Sequence, residues 1–389
     1  MQILFLSQRV PYPPNRGDKI TTWRLIERLK RKHRVRIVAF AHDEGDVKAA
    51  RDLVGMGFEV ATFAPTPRWK AAPTLLGSKP LTLSVYGSRA LQTEVDRHVA
   101  QCDLAYAYSS SMGAFFLPHA LPRVMHFAEL DSDKWRQYAE KTRFPMSWVY
   151  RREWKTLEAF ERELAFATVQ NVFCTPLEQK IFQELMPGAP SMVMRNGVDL
   201  AHYRPAASPP DPDLLVFVGV MNYYPNVDGV TWFCREILPE LQRRRPRTRL
   251  AIVGSHPTEE VKALAKLPGV EVTGFVDDPR TWLARAAVSV APLRIARGIQ
   301  NKVLEAMAMG LAVVGTRSAT QGVDGVAGRD YLVAESAGEQ IEAVFGLLQD
   351  SERARGLGRA ARAFVEEHYD WEACLRPLDT ILETHAKHR

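Results

Sequence analysis

The sequence has few cysteines and lacks a long apolar run. Its four cysteines are isolated from one another, which disfavours both a zinc cluster and a disulfide framework. No apolar stretch approaches the roughly 20 residues that a membrane-spanning helix requires. The apolar N-terminus reaches Arg9 without a basic leader, and therefore predicts a strand rather than a signal peptide. We expect a cytoplasmic protein.

Two ligand-binding signatures are also missing. No G-x-G-x-x-G motif follows a strand candidate, which disfavours an NAD-dependent enzyme. Asp131-Ser-Asp133 has the letters of a metal-binding D-x-D motif, but these acids can equally cap the helix that follows. The sequence therefore predicts neither a cofactor nor a metal.

The formal net charge is +6, and the cations are spread along the chain. Without a nucleic-acid motif, this charge favours phosphate ligands or an anionic membrane surface over nucleic acid. Residues 134–165 mix tryptophans and a tyrosine with lysines and arginines, which suits peripheral contact with a membrane. Five glutamates in the same stretch leave open a solvated helix with buried aromatic residues.

Short apolar runs alternate with longer amphipathic stretches, which predicts parallel sheets with crossover helices. A Pro and Gly break at 186–190 separates two such series, and 208–212 is a candidate linker. The predicted strands are residues 3–7, 36–41, 59–64, 104–107, 123–127 and 169–174, then 214–219, 249–253, 270–273, 288–291, 312–315 and 331–333.

Residues 292–310 carry the densest set of candidate ligand-binding groups. A strand end is followed by a loop and then by a helix that begins at Asn301, which is where open α/β sheets bind ligands. The first-turn N–H groups suit a phosphate, and Arg294, Arg297 and Lys302 place cations beside them. Glu305 can accept two hydrogen bonds from a ribose diol. A solvated basic loop before a buried helix is the alternative.

Two other segments are candidates for a role in binding, and a third indicates a connection between domains. Gly17, in the loop after the first strand, permits close approach of the backbone to a ligand, or simply precedes a helix. His126 ends a strand, where a histidine can bind a sugar or be a satisfied structural residue. Residues 195–205 indicate a passage between domains, with no function visible from local chemistry.

These residues resemble the retaining glycosyltransferases of family four, which have the GT-B fold. The matching motifs are Asn196-Gly-Val-Asp199 with Tyr203 and Pro205, Thr273–Asp278, Lys302–Gly310 and Tyr369-Asp-Trp371. A narrower likeness, carried by 294–302 and 130–135, is to sugar transferases of exosortase-associated exopolysaccharide systems.

The resemblance implies two facing Rossmann-like domains, residues 1–187 with 367–389 crossing back as a C-terminal helix, and residues 188–366. The first would be the acceptor side, and the second would bind the nucleotide-sugar. Glu305 would bind the ribose, the turn from Gly298 through Asn301 to Lys302 the diphosphate, and the backbone of Phe275 and Val276 the base. Gly219 and Gly17 would also line the donor site, and His126 would be the catalytic residue that contacts the sugar.

The sequence departs from the family pattern at two places. Arg297 stands where the family commonly has a glutamate that contacts the donor sugar. The loop 219–226 lacks the arginine and lysine that often grip phosphate. We expect Arg294, Arg297 and Lys302 to supply the missing charge.

The expected reaction is metal-independent, retaining transfer of a sugar from a UDP-sugar or GDP-mannose to a saccharide or lipid-linked acceptor, at the inner face of the membrane. A nucleotide-sugar epimerase and a non-catalytic nucleotide-sugar-binding partner remain alternatives.

Overall fold

The computed structural model describes residues 1–296 and 298–385, which form two compact units. The first comprises residues 1–195 together with the segment from Leu375 onward, and the second comprises Asn196–Cys374. The chain therefore passes from one unit to the other at 195/196 and at 374/375, further along than the expected 187/188 and 366/367. The candidate linker at 208–212 lies inside the second unit, and its last two residues begin a strand.

The first unit contains a seven-stranded parallel sheet with the order β3-β2-β1-β4-β5-β6-β7. Its strands are β1 Gln2–Ser7, β2 Arg34–Phe40, β3 Glu59–Phe63, β4 Leu104–Tyr108, β5 Arg123–Ala128, β6 Gln170–Phe173 and β7 Ser191–Val193. The strands β1 and β4 are buried from end to end or nearly so, as expected for central strands covered by helices on both faces.

The helices of the first unit follow the strands as crossovers. They are α1 Gly17–Lys30, α2 Glu44–Gly55, α3 Arg68–Ala71, α4 Leu81–Val85, α5 Arg89–Val99, α6 Ser110–Gly113, α7 Asp131–Lys141, α8 Met146–Ala167 and α9 Pro176–Leu185, with a 3₁₀ turn at Ala72–Leu76. Side chains of Asp43, Ser88 and Thr175 cap α2, α5 and α9 by accepting from backbone N–H groups.

The second unit contains a six-stranded parallel sheet with the order β10-β9-β8-β11-β12-β13. Its strands are β8 Asp211–Val218, β9 Arg249–Val253, β10 Val270–Gly274, β11 Ala286–Ala291, β12 Ala312–Gly315 and β13 Leu332–Val333. Chain order runs outward from β8 on one side and from β11 on the other. The sheet therefore has a topological switch point between these two central strands.

Helices again connect the strands of the second unit. They are α10 Tyr224–Trp232, α11 Leu238–Arg244, α12 Glu259–Leu264, α13 Arg280–Arg285, α14 Asn301–Ala308, α15 Arg317–Thr320, α16 Ala337–Gln349, α17 Ser351–His368 and α18 Trp371–Cys374, with a π-helical segment at Phe233–Ile237. A capping box formed by Ser336 and Glu339 begins α16.

The ends of the second unit are fastened to each other. Val198 donates its backbone N–H to the carbonyl of Tyr369 at 2.8 Å and forms a bridge with Asp370. A Cβ atom on Gly197 would lie 2.9 Å from the Cα of Trp371, so the chain can pass there only with glycine. The Asn-Gly-Val-Asp motif thus closes this unit where the chain enters and leaves it.

The last described helix, α19 Arg376–His385, belongs to the first unit. Arg28 on α1 forms an ion pair with Asp379 on α19, with Nη2 and Oδ2 2.6 Å apart. The C-terminal helix therefore returns to the first unit. Among the described residues, no helix is both long and apolar enough to cross a membrane.

Candidate functional site

The switch point of the second sheet is flanked by two loops. One follows β8 and leads into α10 at Tyr224, and the other follows β11 and leads into α14 at Asn301. Ligands of open α/β sheets bind at the carboxyl ends of the strands at such a point, because the two loops diverge and leave a crevice. Gly219, Arg294, Gly298, Asn301, Lys302 and Glu305 all lie on these two loops or on the first turns of α14.

Lys302, on the first turn of α14, contacts the first turn of α10. Its Nζ donates to Oδ1 of Asn226 at 2.7 Å and lies 5.0 Å from the centroid of the Phe217 ring. Asn226 is buried, and its Nδ2 donates to the carbonyl of Val220 at 2.8 Å, so the amide is fixed in one orientation. Burial lowers the pKa of Lys302 to about 8, and the negative charge of Glu305 counteracts part of that effect.

Glu305 lies one turn further along α14, where its carboxylate is close enough to the hydroxyl of Tyr203 for the two groups to interact. Burial raises the pKa of Glu305, whereas Tyr203 and Lys302 lower it. The pKa of Tyr203 is raised by burial and by the neighbouring carboxylate. Arg362 donates to the carbonyl of Tyr203 at 2.6 Å and also to that of Ala308, and so ties Tyr203 to the end of α14.

Arg294 is engaged by a carboxylate. It pairs with Asp228 on α10 through two hydrogen bonds, one of them at 2.9 Å, and its guanidinium lies 5.6 Å from the Trp232 ring centroid. The hydrogen bonds to Asp228 raise the pKa of Arg294. The structure thus places Arg294 at the expected loop, but with its charge matched by Asp228. Arg297 falls outside the described residues.

The N-terminus of α14 is available for a ligand. In the described part of the chain, Gln300 supplies no side-chain cap to the N–H groups of this helix. The Oδ1 atom of Asn301 is buried and has no hydrogen-bond partner among the described residues. Gly298 adopts a φ of +62°, and its carbonyl lies so close to Gly322 that a Cβ there would be 2.2 Å away.

The glycine after β8 is required by its neighbours. A Cβ on Gly219 would lie 2.7 Å from Nδ2 of Asn226, and a Cβ on Gly254 would lie 1.7 Å from the carbonyl oxygen of Gly219. Phe275 and Val276 follow β10, with the side chain of Phe275 74% exposed and that of Val276 partly packed on the core. Gly219 therefore serves close packing, whereas Phe275 offers an unoccupied aromatic face.

His126 does not face solvent, contrary to its expected contact with a sugar. Its side chain is 0% exposed, Nδ1 lies 2.8 Å from the hydroxyl of Tyr106, and Nε2 lies 3.6 Å from Sγ of Cys174. Burial lowers its pKa to about 3. The imidazole is therefore a neutral core group whose two nitrogens are both occupied, because β5 runs through the centre of its sheet.

The loop after β1 is only partly as expected. Gly17 is exposed at the start of α1, where Asp18 binds Arg16 at 2.6 Å and Arg9 at 3.4 Å. Lys19 is turned away from solvent into a buried ion pair with Asp46 at 2.7 Å. This loop presents one carboxylate between two arginines beside Gly17.

The acids at the start of α7 are engaged by separate partners. Asp131 accepts from Ser110 at 2.9 Å and pairs with Lys134, while Asp133 binds Arg136 at 2.7 Å. Within the part of the chain that the structure describes, no group of three His, Cys, Asp or Glu side chains could hold a metal ion. Asp131-Ser-Asp133 is thus a helix terminus whose acids make local ion pairs.

Sequence reasoning assigned no role to Asn226, Asp228 or Tyr203. Asn226 ends the segment 219–226, which lacks cations, and Asp228 lies two positions further along α10. Tyr203 belongs to the motif at 196–205. The one available signal was indirect: a polar side chain had to replace the missing cations after β8. Each of these residues holds an ionisable group of the loop 292–300 or of α14.

Comparison with known proteins agrees with this geometry. Residues 212–350 match the family model described as Glycosyl transferases group 1. This region contains both loops of the switch point and all of α14. No curated protein sequence matches the chain.

Solved structures match over nearly the whole chain. Sucrose-phosphate synthase from Thermosynechococcus elongatus is 16% identical, with a TM-score of 0.74 and coverage of 98% of each chain. HepE from Anabaena in complex with UDP is 16% identical, with a TM-score of 0.70 over 99% of this chain and 100% of that one, and it has also been solved with UDP-glucose. WaaG, a glycosyltransferase of lipopolysaccharide biosynthesis, is 17% identical, with a TM-score of 0.66 over 96% and 98%. The chain has the GT-B fold of glycosyltransferases.

Proposed function

We propose that the protein is a glycosyltransferase that moves a sugar from a nucleoside-diphosphate sugar to a hydroxyl acceptor. The observation that carries the proposal is the group at the switch point of the second unit. A lysine ammonium, a carboxylate and an uncapped helix N-terminus lie together there, within the segment that matches the glycosyl transferase family model. A nucleoside diphosphate has the complementary chemistry: anionic phosphates for the cation and N–H groups, and a diol for the carboxylate.

In this proposal the second unit holds the donor and the first unit the acceptor. Negative charge grows on the diphosphate as the glycosidic bond breaks. Lys302 and the N–H groups at the start of α14 stabilise that charge, and because they are fixed beforehand they need no rearrangement in the transition state. Glu305 orients the ribose, with its own position set by Tyr203. Retention of anomeric configuration and independence of metal follow from the family resemblance and belong to the proposal.

We further propose UDP-sugars as the first donors to test. The exposed ring of Phe275 can stack on a base, because every base has an apolar face. HepE, which has the same fold, has been solved with UDP and with UDP-glucose. GDP-mannose is the competing donor.

The acceptor in this proposal is a saccharide or a lipid-linked saccharide, in exopolysaccharide or other cell-surface glycan synthesis. The protein would then work in the cytoplasm at the inner face of the membrane. An epimerase would need a pair of acid and base carboxylates around the sugar, whereas the carboxylate of Asp228 is paired with Arg294. A non-catalytic donor-binding protein would share the donor site but not transfer.

The test has two stages. A thermal-shift screen over nucleoside diphosphates and their sugars identifies the donor, because a ligand at 100 times its Kd stabilises the fold by about 2.7 kcal/mol. Labelled donor is then incubated with saccharide and lipid-linked acceptors. Transfer to an acceptor supports the proposal, conversion of the free sugar indicates an epimerase, and binding without turnover indicates a non-catalytic partner. No shift with any nucleotide would refute a donor site.

The source of positive charge has its own test. Neutralising Arg294, Arg297 and Lys302 together should weaken nucleotide binding strongly, since charge-assisted hydrogen bonds contribute roughly 1.5–3 kcal/mol each. Unchanged affinity in a folded triple variant would rule out these residues as the phosphate ligands.

A further inference from the structure

The first unit has an exposed apolar surface at the turn between α7 and α8. Phe144 is 81% exposed, and Met146 and Trp148 at the start of α8 are also exposed, Trp148 at 51%. Two other aromatic residues of this region, Trp135 and Tyr150, instead contact each other, with ring centroids 5.3 Å apart. A protein that stays monomeric rarely leaves such side chains in water without a function.

A second segment adds to the same surface. Arg152 donates to the carbonyl of Thr74 at 2.6 Å and to that of Lys79 at 2.9 Å, so the stretch 74–79 lies against the first turns of α8. Trp148 is four positions before Arg152 and therefore projects from the same face of the helix. Leu76, within that stretch, is 93% exposed. Leu76 and Trp148 therefore both lie near Arg152.

Glu153 fixes this arrangement. Its carboxylate is buried and accepts from the backbone N–H groups of Leu81 at 2.6 Å and Thr82 at 2.8 Å. Two neighbouring residues of α8 therefore hold the segment that carries Leu76. Arg152 donates to its carbonyl groups, and Glu153 accepts from the N–H groups that follow it.

The charge of this surface has one sign. No acidic residue occurs between Glu59 and Glu94, or between Glu140 and Glu153, whereas both stretches contain lysines and arginines. Six of the cations are exposed and have no ion-pair partner within residues 1–296 and 298–385; they are Lys70, Lys79, Lys141, Arg143, Arg151 and Lys155. The apolar side chains are thus surrounded by uncompensated positive charge.

We propose that this surface, formed by residues 69–79 and 141–155, docks the protein on an anionic lipid bilayer. Exposed Trp, Phe and Leu side chains enter the interfacial layer of a membrane, and lysines and arginines beside them bind anionic headgroups. A polyanion such as nucleic acid would use the cations but leave Leu76 and Phe144 in water. The lipid surface uses both. The proposal stands on this surface alone and does not require glycosyl transfer.

The experiment is co-flotation of the full chain with vesicles of phosphatidylcholine containing 30% phosphatidylglycerol, or of phosphatidylcholine alone, on the order of 0.1 M salt. We expect binding to the anionic vesicles that weakens in higher salt. The variant with Phe144→Ser and Trp148→Ser should lose at least about tenfold in affinity, because each buried aromatic side chain contributes on the order of 1.5–3 kcal/mol. Arg143→Gln with Arg151→Gln should lose about fivefold per charge.

Matched controls lie on the same unit. Phe166 is equally exposed but lies roughly 27 Å further along α8 from Trp148, at a rise of about 1.5 Å per residue. Phe166→Ser should bind vesicles like the native protein, and Lys48→Gln with Arg51→Gln should do so within a small factor. Melting temperature and UDP affinity, measured on every variant, separate loss of docking from loss of folding.

Three results would overturn the proposal. They are no flotation of the native protein, equal flotation of the Phe144 and Trp148 variant, and a native dimer in light scattering that the same variant converts to a monomer. The last would assign the surface to a second copy of the chain. A protein that floats but transfers no sugar would leave this proposal supported and the proposed function refuted.

Discussion

The ammonium of Lys302 and the amide oxygen of Asn226 meet at 2.7 Å across the point where the strand order of the second sheet reverses. The contact joins the first turn of α10, which follows a loop without cations, to the helix that would hold the diphosphate. Asn226 accepts one of the three ammonium protons, and within residues 1–296 and 298–385 the other two have no hydrogen-bond acceptor, so they can bind a ligand. Asn226 therefore sets where the charge of Lys302 points.

Substitutions at Asn226 should change the pH dependence of nucleotide binding. The pKa of Lys302 is lowered to about 8 by burial, so its charge, and with it UDP affinity, should decline as the pH rises through that value. Asn226→Leu removes the acceptor, lowers the pKa further and should move this decline to lower pH. Asn226→Asp adds a carboxylate and should move it to higher pH. Calorimetric titration with UDP from pH 6 to 9.5 measures both.

The opposite pH shifts expected for the two Asn226 variants distinguish a role in positioning Lys302 from a role in the stability of the fold alone. Both variants lose the hydrogen bond from Asn226 to the carbonyl of Val220, so both should melt at a lower temperature. Lys302→Met should remove the alkaline decline altogether. Identical pH profiles in the two Asn226 variants would contradict the positioning role.

Glu305→Gln should weaken UDP binding by roughly 10- to 100-fold, since hydrogen bonds to a charged group contribute about 1.5–3 kcal/mol. Tyr203→Phe should have a smaller effect in the same direction, because Tyr203 orients the carboxylate without touching the ligand. The comparison with 2′-deoxy-UDP identifies the contact. If Glu305 binds the ribose diol, the native protein should discriminate against the deoxy ligand and the Gln variant should not.

Asp228→Asn should release Arg294 from its carboxylate partner. If Arg294 is a phosphate ligand, the freed guanidinium should raise UDP affinity severalfold. Loss of the ion pair should lower stability by no more than about 1 kcal/mol, because Arg294 is half exposed. Asp228→Asn in an Arg294→Ala background is the control and should leave affinity unchanged. Equal effects in both backgrounds would assign Arg294 to structure alone.

His126 should control acid stability rather than turnover. Its folded pKa is about 3, against about 6.5 unfolded, so the unfolded state binds the proton first as the pH falls below 6.5. Stability should decrease by about 1.4 kcal/mol per pH unit in that range. Urea denaturation of the native protein and of His126→Gln between pH 7 and 5 measures the contribution of His126 as the difference between their free energies of unfolding.

The comparison with His126→Gln is needed because Glu161 changes the stability of the protein with pH in the opposite direction. Burial raises its folded pKa to about 8, so it favours the folded state at low pH and loses that contribution as the pH rises from about 4.5 to 8. Glu161 is present in both proteins and cancels. Equal slopes for native protein and His126→Gln would show that His126 already titrates in the folded state.

Gly197→Ala should destabilise the second unit by more than about 2 kcal/mol, because the added Cβ would meet the backbone and ring of Trp371 at 2.9 Å. Gly188→Ala is a comparison with open space around the Cβ but a φ of +87°, which isolates the cost of backbone strain. Melting curves of the two variants check this. A smaller loss of stability for Gly197→Ala would mean that the segments around Gly197 and Trp371 move apart easily.

Most strands could be predicted from the sequence because a buried parallel strand is a short apolar run between turn residues. Residues 249–253 and 312–315 are strands with those same bounds. β7 was missed because it has three residues, all half-buried, directly after a Pro and Gly stretch that indicated a break. The position of α14 and its ionisable residues also followed from pattern alone.

The partners of those residues could not be predicted. Asn226 and Lys302 are 76 positions apart, and only the sheet order brings β8 beside β11. His126 illustrates the same limit from the other side. A histidine at the end of a strand looks available until Tyr106 and Cys174, on neighbouring strands, are seen to enclose it.

The closure of the second unit by Gly197 and Trp371 has a consequence for synthesis of the chain. Residues 196–374 form one uninterrupted stretch whose two ends are hydrogen-bonded to each other, whereas the first unit needs α19, which is synthesised after the whole of the second unit. The second unit can therefore reach its final structure while the first is still without its closing helix. The half that we assign to the donor would mature first, and the half that carries the membrane-docking surface would be completed only after α19 has been synthesised.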